Sequence, residues 1–110
     1  MIRKAFVMTV NPKDHAEYQR RHEALWPEMK TELKNHGVLS YSIFLQKETN
    51  QLFGYLEIED EELWAKMADT KINRKWWDYM EDIMETNPDH SPVSVDLKNV
   101  FTLDFKDSLL

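Results

Sequence analysis

The sequence predicts an α+β domain of the ferredoxin-like type. Four strands form one antiparallel sheet, helices cover one face, and a second copy closes the other face into a dimeric α/β barrel. Three observations carry this reading. Apolar and polar residues alternate with period two in four separate stretches, and helical periodicity fills the gaps, in the order β-α-β-β-α-β of a split pair of βαβ units. The chain has 110 residues and only two glycines, with no linker, repeat or low-complexity tract, so one domain over 1–105 accounts for it, with 106–110 as a C-terminal tail. Finally, Val7, Phe44, Phe53, Tyr55 and Val100 fall on the sheet face that the helices leave open. That face is too apolar to stand in water, and a two-fold homodimer is the simplest cover for it.

Ile2 to Val10 is the first strand, with Ile2, Phe6, Met8 and Val10 on one face and Ala5 and Val7 on the other. Asn11-Pro12 then reads as a helix start, asparagine at the N-cap and proline at the first helical position. Helical spacing continues to His36, and Gly37 supplies a left-handed stop. Pro27 interrupts it and predicts a kink beside Trp26. Val38 to Gln46 alternates Leu39, Tyr41, Ile43 and Leu45 against Ser40, Ser42 and Phe44, a strand, and Lys47 to Gln51 is a hairpin turn into a strand over Leu52–Glu59. Asp60-Glu61-Glu62 opens a helix carrying Leu63, Trp64 and Met67. After a break near Asp69-Thr70, a second stripe runs through Ile72, Trp76, Met80 and Ile83. Asn87 to Pro92 holds two prolines and no periodicity, and so is a loop. Phe101, Leu103 and Phe105 alternate in a last strand over Leu97–Phe105.

Composition narrows the function. Fourteen basic against twenty acidic residues give a net charge of −6, which argues against a nucleic-acid partner, since a phosphate backbone calls for clustered Lys and Arg. The basic run Arg20-Arg21 stands between Glu17 and Glu23 and reads as a solvated helix face. No cysteine is present, which excludes disulfides and thiolate metal sites and fits a reducing compartment. The apolar stretch near the N-terminus is too short and interrupted for a secretory leader, and nothing approaches the ~20 apolar residues of a membrane span. The expected location is the cytoplasm, with no membrane partner.

The candidate site is a polar and aromatic cluster on a helix face that should be core. Tyr18 and His22 are four apart and share a face with Leu25, Met29 and Leu33. An imidazole titrates near neutrality and suits proton transfer; the same residue could instead be a core histidine satisfied by one hydrogen bond. Tyr18 is either a partner to that imidazole and to a ligand hydroxyl, or an amphipathic residue at a helix–sheet contact. Tyr41 alternates with Leu39 and Ile43 and points to the helix side. Trp76 and Trp77 lie ~100° apart on a helix, so both cannot face the same way. Two core tryptophans and an edge tryptophan awaiting a sugar's C–H face are the competing readings. A metal site is not expected. His15 and His22 lie ~10 Å apart along a helix, too far to share an ion at ~2 Å bond lengths, and the chain has no glycine-rich phosphate loop, no Gly-x-Ser-x-Gly and no cysteine nucleophile.

The chain closely resembles the L-rhamnose mutarotase family. The resemblance is carried by Met1-Ile2-Arg3-Lys4-Ala5-Phe6-Val7-Met8, by Glu17-Tyr18-Gln19-Arg20-Arg21-His22 and by Trp26-Pro27-Glu28. It continues in Trp76-Trp77 with Tyr79-Met80 and in Asn87-Pro88-Asp89 with Ser91-Pro92-Val93-Ser94. It reaches to about Leu103; Lys106 to Leu110 extend beyond it and are assigned no role. It implies a cytoplasmic dimer that interconverts the α and β anomers of L-rhamnose, with His22 as proton donor and Tyr18, Tyr41, Trp76 and Trp77 contacting the sugar. Ring opening and reclosure move protons and transfer neither electrons nor groups, so no cofactor or metal is expected. The second acid/base group stays open between Tyr18, Asp89 and a bound water. Two other classes share these features. A cofactor-free oxygenase or other isomerase on the same dimeric fold would also use a pocket histidine, and a non-catalytic sugar-binding module would use the tryptophans without His22.

Overall fold

The computed structural model describes residues 1–105. Strand β1 (Ile2–Thr9) lies at the centre of a four-stranded antiparallel sheet beside β3 (Gln51–Ile58), with β2 (Val38–Gln46) and β4 (Val95–Leu97) at the edges, in the order β2-β3-β1-β4. On one side of the sheet lie α1 (His15–Glu23) and α2 (Pro27–Asn35), followed later by α3 (Glu61–Ala65) and α4 (Lys71–Met80), with single 3₁₀ turns at Lys66–Asp69 and Glu81–Ile83. This is the expected ferredoxin-like arrangement. Lys106–Leu110, the expected tail, lie outside the described residues.

Register explains the two faces. Met8 pairs with Leu52, Phe6 with Gly54, Lys4 with Leu56 and Ile2 with Ile58. Leu52, Leu56 and Ile58 are buried under the helices with Met8, Val10, Met67, Met80 and Ile83. One residue out of step on each strand, Phe44 pairs with Phe53, Phe53 with Val7 and Val7 with Val95. These make an apolar row straight across the helix-free face, and Phe44 is 66% and Val95 64% exposed.

Several expected boundaries move, each for a local reason. The first helix begins at His15 rather than at Pro12. Asn11 is engaged elsewhere: its backbone N–H donates to the Ile83 carbonyl at 2.8 Å and its side-chain amide to the Asp82 carbonyl at 3.2 Å. Pro12 and Lys13 form a turn closed by Asp14 N–H on the Asn11 carbonyl at 3.0 Å. At Pro27 the helix breaks instead of kinking. Trp26 takes an extended backbone (φ −60°, ψ 136°) and Pro27 becomes the first residue of α2, because proline disfavours helix in the residue before it. Gly37 stops α2 as expected, at φ +84°. Asp60 and Thr70 cap α3 and α4, accepting from the N–H groups of Leu63 and Asn73.

The last strand is the largest correction. It spans Val95–Leu97, not Leu97–Phe105. Past Leu97, the Asn99 side chain accepts from Phe101 N–H at 3.0 Å and donates to the Thr102 hydroxyl at 2.9 Å. Such a local turn competes with the ladder and wins. Val100 is consequently not on the sheet face; it is 85% exposed, and Phe101, Leu103 and Phe105 are exposed with it. The segment returns far enough for Asp104 to pair with Arg3 at 2.7 Å.

Candidate active site

The four-residue spacing on α1 turns both Tyr18 and His22 inward, with ring centroids 4.3 Å apart. Nδ1 of His22 lies 2.9 Å from the Tyr18 backbone carbonyl. A carbonyl oxygen only accepts, so Nδ1 carries the hydrogen and the uncharged ring presents the Nε2 lone pair. Among the described residues Nε2 has no partner, and His22 lines the cavity between helices and sheet. Burial pushes the imidazole pKa below its ordinary value, only partly opposed by the bond to Tyr18. His22 is therefore neutral at physiological pH, with a free base aimed at open space.

Flat walls surround that base. Trp76, from α4, meets His22 edge-on with centroids 5.3 Å apart. Tyr41 comes from the helix side of β2 and Phe6 from the same side of β1, edge-to-face at 6.2 Å. Tyr41 keeps 38% of its surface accessible because it faces the cavity, while the protein around its phenol still raises the pKa. Burial raises the Tyr18 pKa as well, and the nearby Tyr41 adds to it. Both phenols stay protonated at neutral pH, able to donate to and accept from ligand hydroxyls. Trp77 lines the rim, with the Arg74 guanidinium 4.8 Å over its ring.

Gly54 makes the floor. A Cβ there would lie 2.3, 2.6 and 2.8 Å from three ring atoms of Phe6. The Phe6 ring thus lies down across the bare backbone of β3, and the space above it stays open. Neither residue was among the expected site residues. The available signal was a lone glycine in mid-strand, which marks close approach of another group.

Arg21 also departs from expectation. In place of a solvated face, its side chain is 9% exposed. Nε donates to Glu17 at 2.8 Å, Nη1 to the Tyr79 carbonyl at 2.6 Å and to Asp82 at 2.9 Å. The guanidinium stacks 4.3 Å over Tyr79. Arg20, in contrast, is exposed and donates through Nε and Nη2 to Glu17 at 2.7 and 2.6 Å; together the two arginines hold the Glu17 carboxyl down at about 2.

The cavity measures about 1130 Å³ and takes in Tyr18, His22, Tyr41, Trp76 and Trp77, so the fold brings every expected site residue to one space. Asp89 stands apart from it. Its carboxylate accepts from the Ser91 hydroxyl at 2.5 Å and backbone N–H at 3.0 Å and from Arg74 at 3.3 Å, which ties the 87–92 loop to α4. His15 is likewise occupied, Nε2 lying 2.8 Å from Asn50 Oδ1. Among the described residues no group of His, Asp and Glu could hold a metal ion, and no helix is long and apolar enough to cross a membrane.

On a ferredoxin-like domain, the neutral His22 imidazole, the protonated phenols of Tyr18 and Tyr41 and the tryptophan walls thus share one cavity. Residues 3–103 match the family L-rhamnose mutarotase. The L-rhamnose mutarotase of Enterococcus faecalis is 66% identical over 94% of this chain and 100% of its own length, and that of Oceanobacillus iheyensis 62% identical over the same shares. The crystal structure of an L-rhamnose mutarotase from Formosa agariphila superposes with a TM-score of 0.87 at 44% identity, over 94% of this chain and 100% of that one. The chain belongs to the L-rhamnose mutarotase family.

Proposed function

We propose that this protein is an isomerase that interconverts the α and β anomers of L-rhamnose, with His22 as the acid/base and Tyr18, Tyr41, Trp76 and Trp77 as the sugar contacts. The observation that carries the reading is the His22 geometry: Nδ1–H tied to a carbonyl, Nε2 free, and the ring wedged between Tyr18 and Trp76 in an open cavity.

The chemistry follows from that protonation state. Nε2 takes the proton of the anomeric hydroxyl, O1–H. The C1–O5 bond breaks as C1 becomes an aldehyde, and the imidazolium now at His22 gives its proton to O5. O1 and O5 are bonded to the same carbon, so one nitrogen serves both. His22 is thus the proton donor in ring opening because it has first been the base. Rotation about C1–C2 presents the other carbonyl face. O5–H then returns its proton to Nε2 as O5 attacks C1, and the former carbonyl oxygen is protonated. Every atom and proton is returned, and no redox cofactor or metal enters. Tyr18 and Tyr41, held neutral, hydrogen-bond the hydroxyls, and the indole faces of Trp76 and Trp77 take the C–H faces.

The active form on this reading is a cytoplasmic homodimer of the single domain 1–105. The apolar row Phe44–Phe53–Val7–Val95 on the helix-free face supports the second copy, and the lack of cysteine fits the compartment. The test is NMR magnetisation transfer between the two anomeric protons of L-rhamnose. Catalytic amounts of protein should raise the exchange rate well above the buffer rate, whereas a sugar-binding module would leave it unchanged.

A further inference from the structure

We propose that Arg21 is a positioning residue: it fixes the separation between the helix bearing His22 and the helix bearing Trp76 and Trp77, and so sets how the imidazole meets the sugar ring. Its consequence for turnover rests on the activity proposed above; the positioning itself rests on geometry.

Successive side chains on a helix diverge by ~100°, so Arg21 and His22 leave α1 in different directions. His22 enters the cavity, while Arg21 runs to the C-terminal end of α4. There Nη1 donates to the Tyr79 carbonyl at 2.6 Å and to Asp82 Oδ1 at 2.9 Å, and Nη2 reaches Asp82 Oδ2 at 3.2 Å. The Tyr79 carbonyl lies in the last turn of α4, which ends at Met80 and runs on into the Glu81–Ile83 turn, and a cation is favoured at that end of a helix. Nε meanwhile holds Glu17 on its own helix at 2.8 Å. One planar group, nearly buried, thus joins α1 to the end of α4.

An aromatic relay completes the link. The Tyr79 ring beneath the guanidinium packs on Trp26 at 5.4 Å, Trp26 meets Trp76 edge-on at 5.1 Å, and Trp76 meets His22 at 5.3 Å. The path leaves α1 at Arg21 and returns to it at His22, by way of the α1–α2 break and α4. Any slippage of α4 against α1 therefore moves Trp76 relative to the imidazole. A lysine retains the charge but not the planar fork that reaches three acceptors at once.

The experiment compares wild type with Arg21→Lys, Asp82→Asn and the double variant. It combines anomer exchange over a range of L-rhamnose concentrations, NMR titration of the His22 imidazole, and thermal unfolding. In each single variant kcat should fall about 10–100-fold, the cost of displacing an acting group by ~1 Å, with KM changed less than about threefold. The His22 titration midpoint should rise toward the ordinary ~6.5 as water enters the loosened contact. The double variant should be no worse than the worse single, because both changes break one link. Normal kcat with an unmoved His22 midpoint overturns the proposal, as does a lowered melting temperature with kcat per folded molecule intact. Should wild type show no exchange, the activity reading fails by itself, and the His22 midpoints in the variants decide positioning. Should Arg21→Lys not fold, Asp82→Asn decides, since it leaves the buried cation its Glu17 and Tyr79 partners.

Discussion

Replacing Gly54 by alanine separates two effects of opposite sign. On an ordinary mid-strand site the change should stabilise, because glycine costs roughly 0.5–1 kcal/mol there relative to alanine. Here the new Cβ would stand 2.3 Å from Phe6 Cζ, with two more ring atoms at 2.6 and 2.8 Å. Carbon atoms rest about 3.5–4.0 Å apart, so the ring tip has to rise by more than about 1 Å, away from β3 and into the space above it. Overpacking of this kind costs about 1–3 kcal/mol, which exceeds the conformational gain. The net sign is destabilising, by up to about 2 kcal/mol, or several degrees of melting temperature for a domain this size. The tilted ring also leaves its edge contact with Tyr41, 6.2 Å away, and intrudes on the sugar, so exchange should fall about tenfold or more. Trimming the ring supplies the control: Gly54→Ala with Phe6→Leu should be more stable than the sum of the two single changes predicts. Thermal unfolding and NMR exchange on the same samples check both parts. A Gly54→Ala protein that melts higher than wild type and exchanges normally would refute the account of the cavity floor.

Other expectations follow from the same geometry. Because burial holds the His22 pKa below its ordinary value, the rate should rise with pH through a midpoint below ~6.5 and stay flat across neutrality. The stability effect has the same sign. The unfolded chain binds the His22 proton first, so this contribution is fully present above ~6.5 and is lost as pH falls through the folded value; His22→Gln should remove that part of the slope in pH-dependent denaturant melts. Trp77→Ala should raise KM roughly twofold to tenfold, from the ~0.5–1.5 kcal/mol of an aromatic contact, and leave kcat nearly unchanged, because a stacking wall holds ground and transition states alike. Sedimentation at micromolar concentration should give a dimer that Phe44→Asp converts to monomer. A wild-type monomer, or a dimer indifferent to that charge, would count against the sheet-face interface.

Much of the sheet was legible because apolar residues alternate along its long strands, most plainly on β3, where every second residue is buried. Leu52, Leu56 and Ile58 against Phe53, Tyr55 and Glu57 on β3 is a period-two signal that permits one register. The end of the chain carried the same alternation at Phe101, Leu103 and Phe105, yet a single polar side chain, Asn99, turns it off the ladder. Periodicity reports which residues are apolar, not what covers them. The site was legible in part because Tyr18 and His22 are local neighbours on one helix. Trp76 and Tyr41 could be assigned to the inner side by phase alone, whereas their distances from His22 depend on how α4 and β2 pack. Arg21 was misread because its acidic neighbours Glu17 and Glu23 suggested solvation. The acceptors that bury it, Tyr79 and Asp82, lie some sixty residues away, and nothing in the local sequence points to them.

The most direct test of the central claim sets His22→Ala beside wild type in the L-rhamnose exchange experiment, with folding followed on the same samples by near-ultraviolet circular dichroism. The side chain lines a cavity and, among the described residues, its one hydrogen bond is to a carbonyl of its own helix, so the variant should fold. Loss of a positioned acid/base should lower turnover by about 10²–10⁴-fold, with sugar affinity largely kept by the phenols and indoles. A folded His22→Ala protein that exchanges the anomers at a near-normal rate would contradict the assignment of the chemistry to His22.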